Sequence, residues 1–248
     1  MIDKGFNMTV DFMYIGSSRC GSTFLYNVLK QQKGVSFPLG KPVRFWNRHI
    51  DGGYYINSDK KFEVWSKDYY YSKFNDDNLF KGDITDGYTQ IPIFRIEEIK
   101  KENPNCKIIY GIRNPFDIIL SHIGLKGKYK EDIITVNRLK KCFETDNQYF
   151  QNNINFSGNI KNWKNVFNDN FYVYNYDDLD NNPKETIKDI CNFLNISYSG
   201  VDFELSKKIN KRIKQYSFDN EAYNWLKEYC FDNIKETEKF IDKKLNWI

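Results

Sequence analysis

Arg19 lies between two glycines in a run of small residues, Tyr14-Ile15-Gly16-Ser17-Ser18-Arg19-Cys20-Gly21-Ser22-Thr23. An apolar stretch (Val10, Phe12 to Ile15) leads into it, and apolar residues at helical spacing (Phe24, Leu25, Val28, Leu29) lead out. A strand, a tight turn and a helix in that order cradle phosphate, because backbone N–H groups and the positive end of the helix dipole converge on one point. Gly16 and Gly21 supply the tight curl that bulkier residues resist. A second place of this kind is Arg113-Asn114-Pro115, which follows the apolar run Ile108 to Ile112, with Ser121 eight residues beyond the arginine. Pro115 suits the first turn of a helix, which puts Ser121 about two turns in. An arginine and a hydroxyl that converge there hold an anion by charge-assisted hydrogen bonds.

Gly16 and Gly21 have the spacing of the pattern G-x-x-x-x-G-K-[ST], but Ser22 stands in place of its lysine and the cation, Arg19, sits inside the loop. That displacement points away from nucleotide triphosphatases. The loop resembles instead the 5′-phosphosulfate loop of the sulfotransferases that use 3′-phosphoadenosine-5′-phosphosulfate (PAPS). The stretch Ile108 to Ser121 is similar to that family's 3′-phosphate motif. Weaker resemblances follow in the family's order: Phe171 to Tyr176 with Asp177-Asp178-Leu179 and Pro183, then a basic loop at Asn210-Lys211-Arg212. Lys81 to Tyr88 loosely resembles a segment of the carbohydrate and tyrosine-protein branches rather than the phenol branch. The resemblance covers roughly residues 9 to 247.

The resemblance implies an enzyme, a PAPS-dependent sulfotransferase with a P-loop-like fold and no metal. It implies PAPS binding by Ser18, Arg19, Cys20, Gly21, Ser22, Thr23, Arg113, Ser121, Lys211 and Arg212, with Arg19 beside the sulfuryl group. The acceptor is expected to be a hydroxyl on a carbohydrate or small molecule. Two other readings stay open: an ATP-dependent kinase of the P-loop type, and an inactive PAPS-binding module.

The acceptor's proton needs a base, and here the chain departs from the family. In the glycan and tyrosine-protein branches a Glu precedes an aromatic pair about twenty residues after the loop's cation. Here the stretch reads Leu39-Gly40-Lys41-Pro42-Val43-Arg44-Phe45-Trp46, with the aromatic pair but no carboxylate. Asp83 and Asp86, which follow an expected strand, are the leading replacements, with Asp86 slightly ahead. His49 has a suitable ordinary pKa for base work. His122, next to Ser121 but about 100° round the helix, reads better as a packed side chain. Lys41 is a candidate contact to the sulfuryl or the departing phosphate.

A net charge of +4 without a Lys/Arg block argues against nucleic acid as partner. Five scattered cysteines, no C-x-x-C pair and two histidines argue against zinc and against a disulfide framework. No stretch is apolar enough for a signal or membrane anchor, so a soluble, cytoplasmic protein is expected.

Elements must bring these residues together. Strands are expected at Val10–Ile15, Val35–Phe37, Leu79–Lys81, Lys107–Ile112 and Phe171–Tyr174. Helices are expected at Ser22–Gln31, Pro92–Glu102, Pro115–Ile123, Ile133–Phe150, Gly158–Phe167, Pro183–Leu194 and Glu221–Leu245. Short apolar strands separated by helices predict an α/β fold, a central parallel sheet flanked by helices on both faces. Ligands in such sheets bind beyond the carboxyl ends of the strands, where both anion motifs fall. The chain, 1–248, reads as a single sulfotransferase domain, with 46–74 as a substrate-side insertion or an aromatic-stabilised surface excursion.

Overall fold

The computed structural model describes residues 9–47, 49–50, 53–58, 61–76, 78–126, 132–147, 150–203 and 216–248, with backbone alone for 49–64 and for 125 and 126 within those spans. In chain order the elements are β1 (Phe12–Gly16), α1 (Ser22–Leu29), β2 (Val35–Ser36), β3 (His49–Ile50), β4 (Gly53–Ser58), β5 (Lys61–Trp65), α2 (Lys67–Ser72), β6 (Phe80–Ile84), α3 (Ile93–Glu102), β7 (Lys107–Ile112), α4 (Pro115–Lys126), β8 (Ile133–Ile134), α5 (Val136–Thr145), α6 (Phe156–Phe167), β9 (Phe171–Asn175), α7 (Tyr176–Asn181), α8 (Pro183–Leu194), β10 (Ser217–Phe218) and α9 (Asn220–Ile241).

Five strands form one parallel sheet in the order β2-β6-β1-β7-β9. Side chains alternate across a strand, and here both faces are apolar. Phe12 and Tyr14 of β1 and Ile109 of β7 pack on one face, against Leu25, Val28 and Leu29 of α1 and Ile187, Ile190 and Leu194 of α8. Met13, Ile15, Ile108, Tyr110 and Ile112 pack on the other, against α3, α4, α5, α6 and α9. The result is three layers, as expected. Burying each Leu or Ile of these helix stripes contributes about 1.5–3 kcal/mol.

The sheet's carboxyl edge is crowded by tyrosines, and Gly111 makes room for them. A Cβ there would lie 2.8 Å from the Tyr174 ring and 3.1 Å from the Tyr14 hydroxyl.

Two expectations change. The helix expected over Ile133–Phe150 is shorter: Ile133 and Ile134 pair in parallel with β10, and α5 runs Val136–Thr145. The β-branched run Ile133-Ile134-Thr135-Val136 favours extended backbone before the helix begins. The segment 46–74 holds structure of its own, an antiparallel sheet β3-β4-β5 and the helix α2, whose first turn is capped by Ser66. Its ends are core rather than excursion, since Trp46, Tyr70 and Phe74 are fully buried among the main cluster and Tyr70 stacks on Phe45 at 4.0 Å.

Candidate active site

The loop between β1 and α1 has its carbonyls tied back. Tyr14 Oη donates to the Ser17 carbonyl at 2.9 Å, Asn153 Nδ2 to that of Ser18 at 3.2 Å, Arg113 to that of Arg19 at 3.1 Å and Tyr174 Oη to that of Cys20 at 2.5 Å. The Gly21 carbonyl starts the helix, accepting from Leu25 N–H. Burial holds the Tyr14 and Tyr174 phenols well above their ordinary pKa, so both remain donors. The Ser17 and Ser18 amides are bonded inward as well, to the Gly111 carbonyl at 2.8 Å and to Asn153 Oδ1 at 2.8 Å, so the donors left for an anion are those of the first turn of α1, which have no intrahelical acceptor.

No side chain caps α1 among the described residues and no acid lies in its first turn, whereas Asn175 caps α7 and Asp219 caps α9. An uncapped N-terminus is the favoured place for an external anion. Gly21 takes φ 86° there, and a Cβ would meet Tyr176 at 3.0 Å. Arg19 itself holds φ 69°, a left-handed conformation that a non-glycine residue keeps only where its neighbours over-determine it.

The second motif lands beside the first. Asn114 Oδ1 accepts from Phe116 N–H and caps the start of α4, which carries Ser121 inward. Arg19 Nε donates to Ser121 Oγ at 2.7 Å. Arg113 lies over the Tyr176 ring at 4.3 Å and pairs with Asp117 at 3.3 Å. Its Nε is buried without a hydrogen-bond partner among the described residues. A buried guanidinium N–H with nothing to bond is costly, and a phosphate oxygen is the group that would satisfy it.

Lys41, Asp86 and Asp83 surround the loop differently. Lys41 Nζ donates to Ser22 Oγ at 2.9 Å and Thr23 Oγ1 at 2.7 Å, so it stands at the same helix end as the free amides. Burial, with Arg19 nearby, lowers its pKa to about 8, opposed by Asp86. Asp86 accepts from Ser18 Oγ at 3.0 Å and is half-buried. Asp83 is fully buried and accepts from Tyr70 and Tyr88 hydroxyls at 2.8 Å each and from Thr85 at 2.9 Å. Desolvation raises its carboxyl to about 6, although the three hydroxyl donors favour the charged form.

The Asp83 partners hold the stretch after Lys41. Thr85 Oγ1 accepts from the Val43 and Arg44 amides, and Tyr88 Oη from that of Phe45. The structure therefore separates the two carboxylates that the sequence offered as bases. Asp86 touches the loop, while Asp83 is enclosed and supports the Lys41 segment.

His122 is 4% exposed, with Nε2 3.2 Å from Asn153 Nδ2, and is a packed residue as its position on the helix implied. Lys211, Arg212 and the His49 side chain lie outside the described residues. Ser18, Cys20, Gly21, Ser22, Thr23, Arg113 and Ser121 all meet at one end of the sheet.

The residues that sequence reasoning missed are the clamps: Tyr14, Tyr174 and Asn153, with Tyr110, whose hydroxyl lies 2.9 Å from Ser17 Oγ. A tyrosine among aliphatic strand residues was a usable signal, because a buried phenol hydroxyl must bond somewhere. Nothing in the sequence marks Asn153.

A family profile described as the sulfotransferase domain matches residues 10–246. No curated protein sequence matches the chain at a significant level. Among solved structures, the chain is similar to a sulfotransferase from Alicyclobacillus acidocaldarius, with a TM-score of 0.71 at 17% identity over 95% of this chain and 96% of that one. It is also similar to a sulfotransferase domain from the curacin biosynthetic pathway, with a TM-score of 0.54 at 17% identity over 97% and 93%. A third is mouse sulfotransferase SULT7A1 complexed with PAP, with a TM-score of 0.51 at 14% identity over 95% and 85%. Among the described residues no helix is long and apolar enough to cross a membrane.

Proposed function

The chain belongs to the sulfotransferase domain family, and from that premise we propose that it binds PAPS across the Arg19 loop and the Arg113–Ser121 motif and passes the sulfuryl group to a hydroxyl of a carbohydrate or small molecule. What supports this reading is that two places suited to an anion lie side by side, joined by the bonds of Arg19 to Ser121 and of Arg113 to the Arg19 carbonyl. One is the uncapped start of α1. The other offers the unpartnered Arg113 Nε and Ser121, which is already bonded to Arg19. The first suits the 5′-phosphosulfate and the second the 3′-phosphate.

In the reaction, the acceptor oxygen forms a bond to sulfur while the bond from sulfur to the 5′-phosphate oxygen breaks. The departing phosphate keeps the electron pair, and the acceptor's proton passes to a base. Arg19 and Lys41 neutralise charge on the departing phosphate, as preorganised cations do where charge develops. Neither has to donate a proton.

Asp86 is the base this site favours: half-buried, held by Ser18 Oγ, and at the loop itself. Asp83 and its hydroxyl partners fix the segment that carries Lys41. The 46–74 segment borders the acceptor side of the cleft. Lys211 and Arg212 take the family's place for closing over the 3′-phosphate. The site calls on no metal, and the protein works as a soluble, cytoplasmic enzyme.

Incubation of acceptor pools with radiolabelled PAPS, followed by mass spectrometry of the labelled product, tests the reading. Label in a sulfated hydroxyl supports it. Transfer from labelled ATP that requires magnesium would replace it with a kinase, and nucleotide binding without transfer to any pool would leave a binding module.

A further inference from the structure

Resting on that reading, we propose that Asn153 is a positioning residue of the phosphosulfate loop, fixing the Ser18 peptide so that the amides of the first turn of α1 face the ligand before it arrives. Asn153 is 1% exposed and sits in the short turn before α6. Its Oδ1 accepts from Ser18 N–H at 2.8 Å and its Nδ2 donates to the Ser18 carbonyl at 3.2 Å. One side chain thus pairs with both backbone groups of one residue, as a neighbouring strand would. A single orientation of the amide satisfies both bonds. His122 Nε2, 3.2 Å from the same Nδ2, supports that orientation by accepting the second N–H.

Ser18 immediately precedes Arg19, and its hydroxyl donates to Asp86 Oδ2 at 3.0 Å. The Ser18 peptide is therefore the joint between the loop's cation and the favoured base. If it rotates, the amides that follow lose their common aim, and the ligand must re-form it at the expense of affinity. The consequence falls first on the 5′ end of the nucleotide, because Asn153 bonds to the Ser18 peptide and reaches Arg113 and Ser121 only through Arg19.

Calorimetry with adenosine 3′,5′-bisphosphate and adenosine 3′-monophosphate, well below the thermal midpoint of every variant, tests this. Asn153→Ala should weaken the bisphosphate by roughly tenfold, the worth of a lost buried hydrogen-bond pair, and leave the 3′-monophosphate unchanged. Asn153→Asp keeps the volume but cannot donate to the Ser18 carbonyl and sets a carboxylate beside an anion site, so it should weaken the bisphosphate more than Ala does. Asn103→Ala removes a comparable buried amide, one that accepts from Val10 N–H at 2.9 Å at the end of β1 opposite the loop. It should lower the thermal midpoint without changing either affinity. Wild-type affinity for the bisphosphate in Asn153→Ala, an Asp variant closer to wild type than the Ala variant, or equal losses for both nucleotides would overturn the proposal. Wild-type protein that binds neither nucleotide would overturn the sulfotransferase reading, and this inference with it.

Discussion

Arg19 Nε and Ser121 Oγ stand 2.7 Å apart although 102 residues separate them in the chain. This single bond joins the loop after β1 to the helix after β7, and these two strands are neighbours in the parallel sheet. Adjacent parallel strands end at the same edge, so the two anion motifs meet there by topology.

Ser121 and Arg113 should set the preference for a 3′-phosphate. Ser121→Ala and Arg113→Ala are each expected to weaken adenosine 3′,5′-bisphosphate by about 1.5–3 kcal/mol and hardly affect AMP. Calorimetry with the two nucleotides checks this. Equal losses for both would remove these residues from the 3′ site.

Arg19→Ala should lower turnover much more than it weakens nucleotide binding, by about 10²–10³-fold in rate, because its interaction strengthens as charge develops on the departing phosphate. Steady-state rates set beside binding constants separate the two effects. Matching losses would mark Arg19 as a plain phosphate clamp. Arg19→Lys should keep part of the activity.

Asp86→Asn should cut turnover by about 10²–10⁴-fold with nucleotide affinity intact, as loss of a general base does. A structure with bound nucleotide checks the geometry first. A carboxylate more than about 8 Å from the sulfur would be out of reach even through one water.

Lys41 should make nucleotide binding depend on pH. In the free protein its ammonium loses its proton near pH 8, earlier than an ordinary lysine. A bound phosphate favours the charged form, so above that value binding must take up a proton and affinity should fall as pH rises, approaching tenfold per unit. Dissociation constants at pH 7 and pH 9.5 measure it. Lys41→Ala should be weaker and flat over this range, and Lys41→Arg flat but close to wild-type strength at pH 7.

Asp83 should show in stability. Its folded carboxyl titrates near 6, above the ordinary value of about 3.9. Between about pH 4 and 6 the native state therefore holds a proton that the unfolded chain has lost, and stability should fall as pH rises through that window. Urea denaturation at pH 4.5 and 7 measures the difference, which Asp83→Asn should largely remove. Asp83→Ala leaves the Tyr70, Tyr88 and Thr85 hydroxyls without their shared acceptor and should cost at least about 2 kcal/mol.

Where strand character was written in unbroken aliphatic runs, the sequence could be read closely. Lys107–Ile112 and Pro183–Leu194 stand where they were expected, because each element follows from local periodicity and from proline at a helix start. In the aromatic segment 46–74 that local signal is absent. Tyrosines and tryptophans serve equally in an antiparallel ribbon, a helix or a core, so β3, β4, β5 and α2 could not be told apart in advance.

The strand–turn–helix at each of the two motifs was legible, because it is written locally as an apolar run, a small-residue or proline turn and a helical apolar pattern. Order along the chain alone also implied the shared sheet edge. What the chain order could not say is how the cradle is held open. Tyr14, Tyr174 and Asn153 hold the loop carbonyls, and each reaches the loop from a separate element. Nor could it divide the two aspartates three residues apart. Asp83, on β6, enters a closed pocket of hydroxyls, while Asp86, in the turn after the strand, stays half-buried at the loop, and burial, a property of the packed fold alone, is what separates them.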